Sequence, residues 1–212
     1  VNRKYVSIPI EIWNLGELHP NERVLLAEVA SFEDKNKKHE MIWQELTYDE
    51  MCTAYKMSQE LPPEMKGNYS GNNPLKRFAG YVGQVAAHKY FKGSENVDAF
   101  DFDILFEGLR VEIKTSCRSV PPLDTYIARV AGSNSSQLCD VYVFASAQCN
   151  NGKFSHGCWL VGWITKEQML SSMWFTAKGT KATDGFTEKG DCFKMLISDL
   201  RPMTSLKALN KK

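Results

Sequence analysis

Asp103, Glu112 and Lys114 are the residues of this chain best placed by type and spacing to do chemistry. They fall in the stretch from Phe100 to Ser116, which reads as two strands joined by a Glu107-Gly108 turn. Apolar and polar residues alternate with period two on both sides of that turn, as half-buried strands require. A two-residue loop fixes the register, so that Phe106 opposes Leu109, Ile104 opposes Val111, Asp103 opposes Glu112 and Asp101 opposes Lys114. Opposed side chains have Cβ atoms roughly 5 Å apart, and like charges at that separation repel. A divalent cation between Asp103 and Glu112 converts the repulsion into coordination, because Mg²⁺ takes one or two carboxylates together with water and phosphate oxygens. A plain solvated hairpin face, with Lys114 neutralising Asp101, is the blander account of the same residues.

An Asp followed by Glu-x-Lys on the adjacent strand (Asp103, Glu112 and Lys114, running on into Thr115-Ser116) resembles the PD-(D/E)xK nuclease superfamily. The surrounding order fits as well. A helix from Pro74 to Phe91 precedes the hairpin, a strand beginning Asp140-Val141-Tyr142-Val143-Phe144 follows it, and Trp159 to Thr165 leads into a helix start at Lys166. The resemblance covers residues 74–205 and looks like that of many small phage and restriction-type members. It implies an α/β fold: a restriction-endonuclease-like core with a central mixed β-sheet flanked by helices. Two departures stand out. Phe102, not proline, precedes Asp103, and the helix position where the superfamily often carries a metal-supporting Glu is Gln84. Gln137 and Tyr142 resemble the Gln…Tyr signature of RecB-like nucleases but are one residue too far apart, and they fall outside the candidate set.

The chemistry this implies is phosphodiester hydrolysis. A Mg²⁺ ion (Mn²⁺ substituting) held by Asp103, Glu112 and the Ile113 carbonyl binds a phosphate oxygen and lowers the pKa of its water. Lys114 orients that water or answers developing charge. Gln84, Thr115 and Ser116 are supporting candidates. Arg118 with Lys178 and Lys181 on a later Gly/Thr/Lys-rich loop are nucleic-acid contacts, and Arg110 sits at the cleft rim. The partner expected is DNA, and cutting both strands of a duplex would call for a homodimer. The rival readings are a nuclease-fold module that binds DNA or protein and cuts little, and a replication or transcription factor acting through a helix-turn-helix in residues 1–60.

The rest of the chain bounds these readings. It has 212 residues, 43% hydrophobic and 24% charged, with a net charge of +1. Its charge is unevenly spread: residues 1–60 carry seven Lys/Arg against eleven Asp/Glu, whereas residues 176–212 carry eight against four. Basic charge thus collects where phosphate contacts are expected. No apolar run is long enough to span a bilayer, the opening Val1 to Tyr5 lacks a signal-type hydrophobic region, and the six cysteines show no paired spacing. The expectation is a cytoplasmic, reduced protein without membrane partners, of the kind phages encode. Cys149, His156 and Cys158 could belong to a zinc site, but a hairpin turn at Asn150-Asn151-Gly152 explains the spacing more simply.

The expected organisation is a mostly helical N-terminal extension over 1–60, a linker loop over 61–73, the nuclease core over 74–205 and a basic tail over 206–212. Ile8 to Ser31 is similar to the opening of phage-type helix-turn-helix replication proteins, although its acidity argues against DNA reading. Thr47 caps a helix from Tyr48 to Met57, and Asn73 with Pro74 starts the helix that precedes the hairpin. Gly80 and Gly83 in that helix permit close approach to a sheet. Thr125 to Val130 reads as a third strand, Asp140 to Ala145 and Trp159 to Ile164 as central strands, and Cys192 to Ile197 as a last, edge strand.

Overall fold

The structure is a computed structural model that describes residues 39–60, 73–97, 101–181 and 187–206. The chain divides into two compact units, Val1–Lys38 and His39–Lys212, and every described residue lies in the second. The helix-turn-helix reading of Ile8 to Ser31, the loop at 61–72 and the tail beyond Leu206 lie outside the described residues.

Residues 39–60 belong to the sheet-bearing unit rather than to a separate helical extension. Strand β1 (Ile42–Glu45) pairs antiparallel with β7 (Lys153–Thr165), and helix α1 (Tyr48–Gln59) follows it. A capping box starts α1: the Glu50 N–H donates to Thr47 Oγ1 at 3.2 Å and the Thr47 N–H to Glu50 Oε2 at 2.7 Å. The expected cap is therefore in place, and the strand before it is an addition. Helix α2 (Pro74–Tyr90) begins as its sequence implies, with Asn73 Oδ1 accepting from the Leu75 N–H and Pro74 in the first turn.

Six strands form the main sheet in the order β1-β7-β6-β4-β3-β2, where β2 is Glu95–Asn96, β3 Ile104–Phe106, β4 Leu109–Arg118 and β6 Val141–Asn150. Only β4 and β6 run parallel, so the sheet is mixed. Strands β6 and β7 close through a turn with Asn151 at φ 50 and Gly152 at φ 78, where the sequence places a hairpin. Strand β5 (Ile127–Ala131) does not join this sheet. It forms a second, antiparallel one with β9 (Cys192–Leu196) and β8 (Trp174–Thr176) in the order β5-β9-β8, which makes β9 its centre rather than an edge. Short stretches of alternating residues do not say which sheet they will join.

The two faces of the main sheet bury different clusters. Val141, Val143, Ala145 and Ala147 of β6 pack with α1 and α2 around Leu46, Ala54, Val82 and Ala86. Tyr142 and Phe144 point the other way and pack with the second sheet through Ala128, Val130 and Met195, and with Met169 of helix α3 (Lys166–Ser172). A strand buried on both faces reads as a continuous apolar run, as β6 does. Thr165 caps α3 by accepting from the Gln168 N–H at 3.1 Å, again as read from sequence.

Candidate functional site

The hairpin that carries the motif forms with the expected register near its turn. Ile104 opposes Val111, Leu105 opposes Arg110 and Phe106 opposes Leu109. Glu107 and Gly108 both take positive φ, 49 and 83, the geometry that matches the twist of a two-residue hairpin. Beyond Ile104 the pairing changes. The Asp103 N–H donates to the Val111 carbonyl at 3.0 Å, so Asp103 and Ile104 both address Val111. Two residues against one is a bulge, and it tilts the chain out of the flat ladder. Phe102 consequently packs with the cluster on the second-sheet side, while Ile104 and Phe106 pack on the helix side.

This step overturns the expected facing pairs. Asp103 is not the ladder partner of Glu112; its Oδ2 accepts the Ile113 N–H at 2.7 Å, where a regular strand would offer a carbonyl. Asp101 does not face Lys114 either, for its Oδ1 accepts the Leu138 N–H at 3.1 Å. Asp103 still comes alongside Glu112 and Lys114, but through the main chain of β4. A strand residue sends its N–H and C=O to the same side, so the Ile113 carbonyl leaves β4 towards Asp103 as well.

Alternation along β4 sorts the other candidates. Val111, Ile113 and Thr115 face α2, and the Thr115 hydroxyl donates to the Gly80 carbonyl at 3.4 Å. A Cβ added to Gly83 would lie 2.0 Å from Thr115 Oγ1, so Gly83 lets the helix sit down on the strand, whereas a Cβ at Gly80 would meet nothing. Gln84 is buried in α2 on that helix side. Glu112, Lys114 and Ser116 take the opposite face by the same alternation. Ser116 and Arg118 line a small cleft with Ile127 and Phe144. Arg118 donates to the Ile127 carbonyl at 3.1 Å and lies 4.6 Å from the Tyr126 ring, and burial lowers its pKa. Lys178 and Lys181 are exposed on the hairpin that follows β8. Arg110 forms a two-nitrogen pair with Asp140, at 3.1 and 2.6 Å, which holds the Asp140 carboxyl below its ordinary range.

The centre of the site is a buried polar cluster. Glu112 is 6% exposed. Its Oε1 accepts from Lys114 Nζ at 2.5 Å and from Gln137 Nε2 at 3.0 Å, and Lys114 also donates to Gln137 Oε1 at 3.2 Å. Glu112 Oε2 is also buried and has no hydrogen-bond partner among the described residues. The Lys114 ammonium lies 5.8 Å from the centre of the Tyr142 ring, and burial drives the Tyr142 phenol far above its ordinary pKa. Gln137 thus belongs to the site, although its spacing to Tyr142 does not suggest it. A 3-10 turn over Gly132–Ser136 ends on it and folds its amide over β4. The signal available in the sequence is a lone amide just ahead of an apolar strand.

Among the described residues no group of three or more His, Cys, Asp or Glu side chains gathers for a metal. The oxygen donors here are two carboxylates and main-chain carbonyls, a hard set of the kind Mg²⁺ prefers. In comparisons with known proteins, no family model and no curated sequence matches this chain.

Proposed function

We propose that this protein is a Mg²⁺-dependent DNA nuclease that cuts internally, with Asp103, Glu112 and Lys114 at its centre and a restriction-endonuclease-like core around them. The observation that carries the reading is the second oxygen of Glu112, buried beside a lysine and without a hydrogen-bond partner among the described residues. Leaving a buried carboxylate oxygen unanswered costs on the order of 1–3 kcal/mol or more, and a cation at that oxygen removes the cost. Asp103 and the Ile113 carbonyl lie on the same side of β4, so Glu112 Oε2, Asp103 and that carbonyl would hold the ion. Asp103 can accept the Ile113 N–H and still coordinate, since a carboxylate has about four lone-pair sites. The order of α2, the motif hairpin and β6 beside β4 also supports this core.

Bound Mg²⁺ would supply Lewis-acid activation of a phosphate oxygen and a water of lowered pKa. The protein's own groups do the rest. Gln137 bridges Glu112 and Lys114 and so fixes both rotamers. Lys114, its side chain 17% exposed, holds a positive charge where the pentacoordinate phosphate gains negative charge. The apolar wall of Tyr142 and Phe102 thins the solvent there, which strengthens each electrostatic interaction.

A second reading, a nuclease-fold module that binds DNA and cuts little, draws on one observation: Lys114 and Asp103 are both already engaged inside the protein. Incubation with circular single-stranded and supercoiled duplex DNA in Mg²⁺, Mn²⁺ or EDTA separates the two. Metal-dependent cutting of closed circles, lost in a Glu112→Ala, Lys114→Ala double variant, is expected. DNA binding without cutting in any metal would favour the second reading.

A further inference from the structure

The second sheet carries cations and exposed rings that the Glu112 site does not use. We infer that the three-stranded sheet binds single-stranded DNA along strand β8, with a base stacked on Trp174 and phosphates held by Lys178, Lys181 and Lys189. That DNA is the ligand rests on the nuclease reading; the surface itself stands on separate observations.

Trp174 lies on the edge strand and is 45% exposed, whereas its neighbour Phe175 takes the other face of the sheet, against Phe193. An exposed indole on a strand edge offers a face on which a base can stack. Trp174 shares a cross-strand row with two cations, since Lys194 pairs with Trp174 on one side and with Arg129 on the other.

Glu188 answers both of those cations from within the fold, with Lys194 Nζ and with Arg129 Nη1 at 3.2 Å. It also anchors the returning arm of the hairpin, whose main chain exchanges bonds with Thr180 and Gly179. Asp191 accepts the Lys178 N–H at 2.8 Å and so tethers the other arm. The hairpin that results projects Lys178, Lys181 and Lys189 outwards, and none of the three makes an ion pair among the described residues.

Trp174, whose cross-strand neighbour Lys194 is tied to the hairpin through Glu188, together with the ammonium groups of that hairpin matches a strand whose bases are free to stack and whose phosphates are regularly spaced. A duplex hides its base faces, so rings at a sheet edge discriminate against it. A protein partner would be met by an apolar patch without the lysines.

The test is fluorescence anisotropy of a labelled oligo-dT strand with the full chain in EDTA, so that no cutting intervenes. Wild type is expected to bind the single strand more tightly than a duplex of equal length. Trp174→Ala should weaken binding roughly 5- to 150-fold, the worth of one stacked base, and Trp174→Phe should restore most of it. Lys178→Ala with Lys181→Ala should lower the salt dependence by about 0.7 in log–log slope for each phosphate no longer neutralised. Unchanged affinity in Trp174→Ala, or equal binding of duplex, overturns the inference. So does a Trp174-dependent self-association without DNA binding, which would make the surface an interface between copies. Failure here with metal-dependent cutting intact leaves the nuclease reading standing; Trp174-dependent binding without cutting does the reverse.

Discussion

A carboxylate as enclosed as Glu112 must have its charge met on both oxygens, and among the described residues only Oε1 is met. Gln137 is the residue on which that arrangement turns. Gln137→Leu removes its hydrogen bonds to Glu112 and Lys114; urea unfolding should show a loss of about 1–3 kcal/mol. A second ionic cluster makes a pH prediction. The hydrogen bond from Lys194, with the nearby Arg129 charge, holds the Glu188 carboxyl below its usual value. A lowered carboxylate contributes stability above its unfolded pKa, about 4.3, and loses that contribution as pH falls through the folded value. The melting temperature should therefore be insensitive to Glu188 from neutrality down to about pH 5 and then fall, and Glu188→Gln should flatten that acid limb. At this scale the motif carboxylates and lysine were legible from type and spacing. Gln137 was not, because a side chain delivered by a 3-10 turn leaves no period in the sequence.

The elements make a sharper contrast between two glycines of α2. Gly83→Ala forces a methyl to within 2.0 Å of Thr115 Oγ1, which lifts the helix from β4. Overpacking of this kind costs about 1–3 kcal/mol. Gly80→Ala meets nothing and should stabilise by up to about 1 kcal/mol through helix propensity. Thermal or urea unfolding of the two variants gives opposite signs if α2 sits as described and like signs if it does not. Helix caps at Thr47, Asn73 and Thr165 were readable because each is a local hydrogen bond. The bulge at Asp103 was not readable from alternation: the pattern Phe102, Ile104, Phe106 looks unbroken, yet Phe102 packs on the other face. What moved it is the competition between the Asp103 carboxylate and a main-chain carbonyl for the Ile113 N–H.

For the whole molecule, the mixed α/β architecture could be anticipated, while the partition of its strands could not. Strand β1 lies in a segment whose composition suggests helices, and β5, β8 and β9 form a sheet of their own because their partners are remote in sequence. None of the helices described is long and apolar enough to cross a membrane. The two sheets close on the cluster around Tyr142 and Phe144, and the Glu112 pair sits at the margin of that apolar layer. The metal site proposed here predicts a gain in stability with Mg²⁺, because an ion that binds only the folded chain shifts the unfolding equilibrium. The most direct test is thermal unfolding of wild type and Glu112→Gln over rising Mg²⁺, with NaCl controls at matched ionic strength. At a hundred times its dissociation constant the ion adds about 2.7 kcal/mol, which is roughly 5–10 °C for a chain of this size. A rise of that order in wild type and none in Glu112→Gln is the predicted result; equal responses in the two proteins, or no response in either, would contradict the metal site.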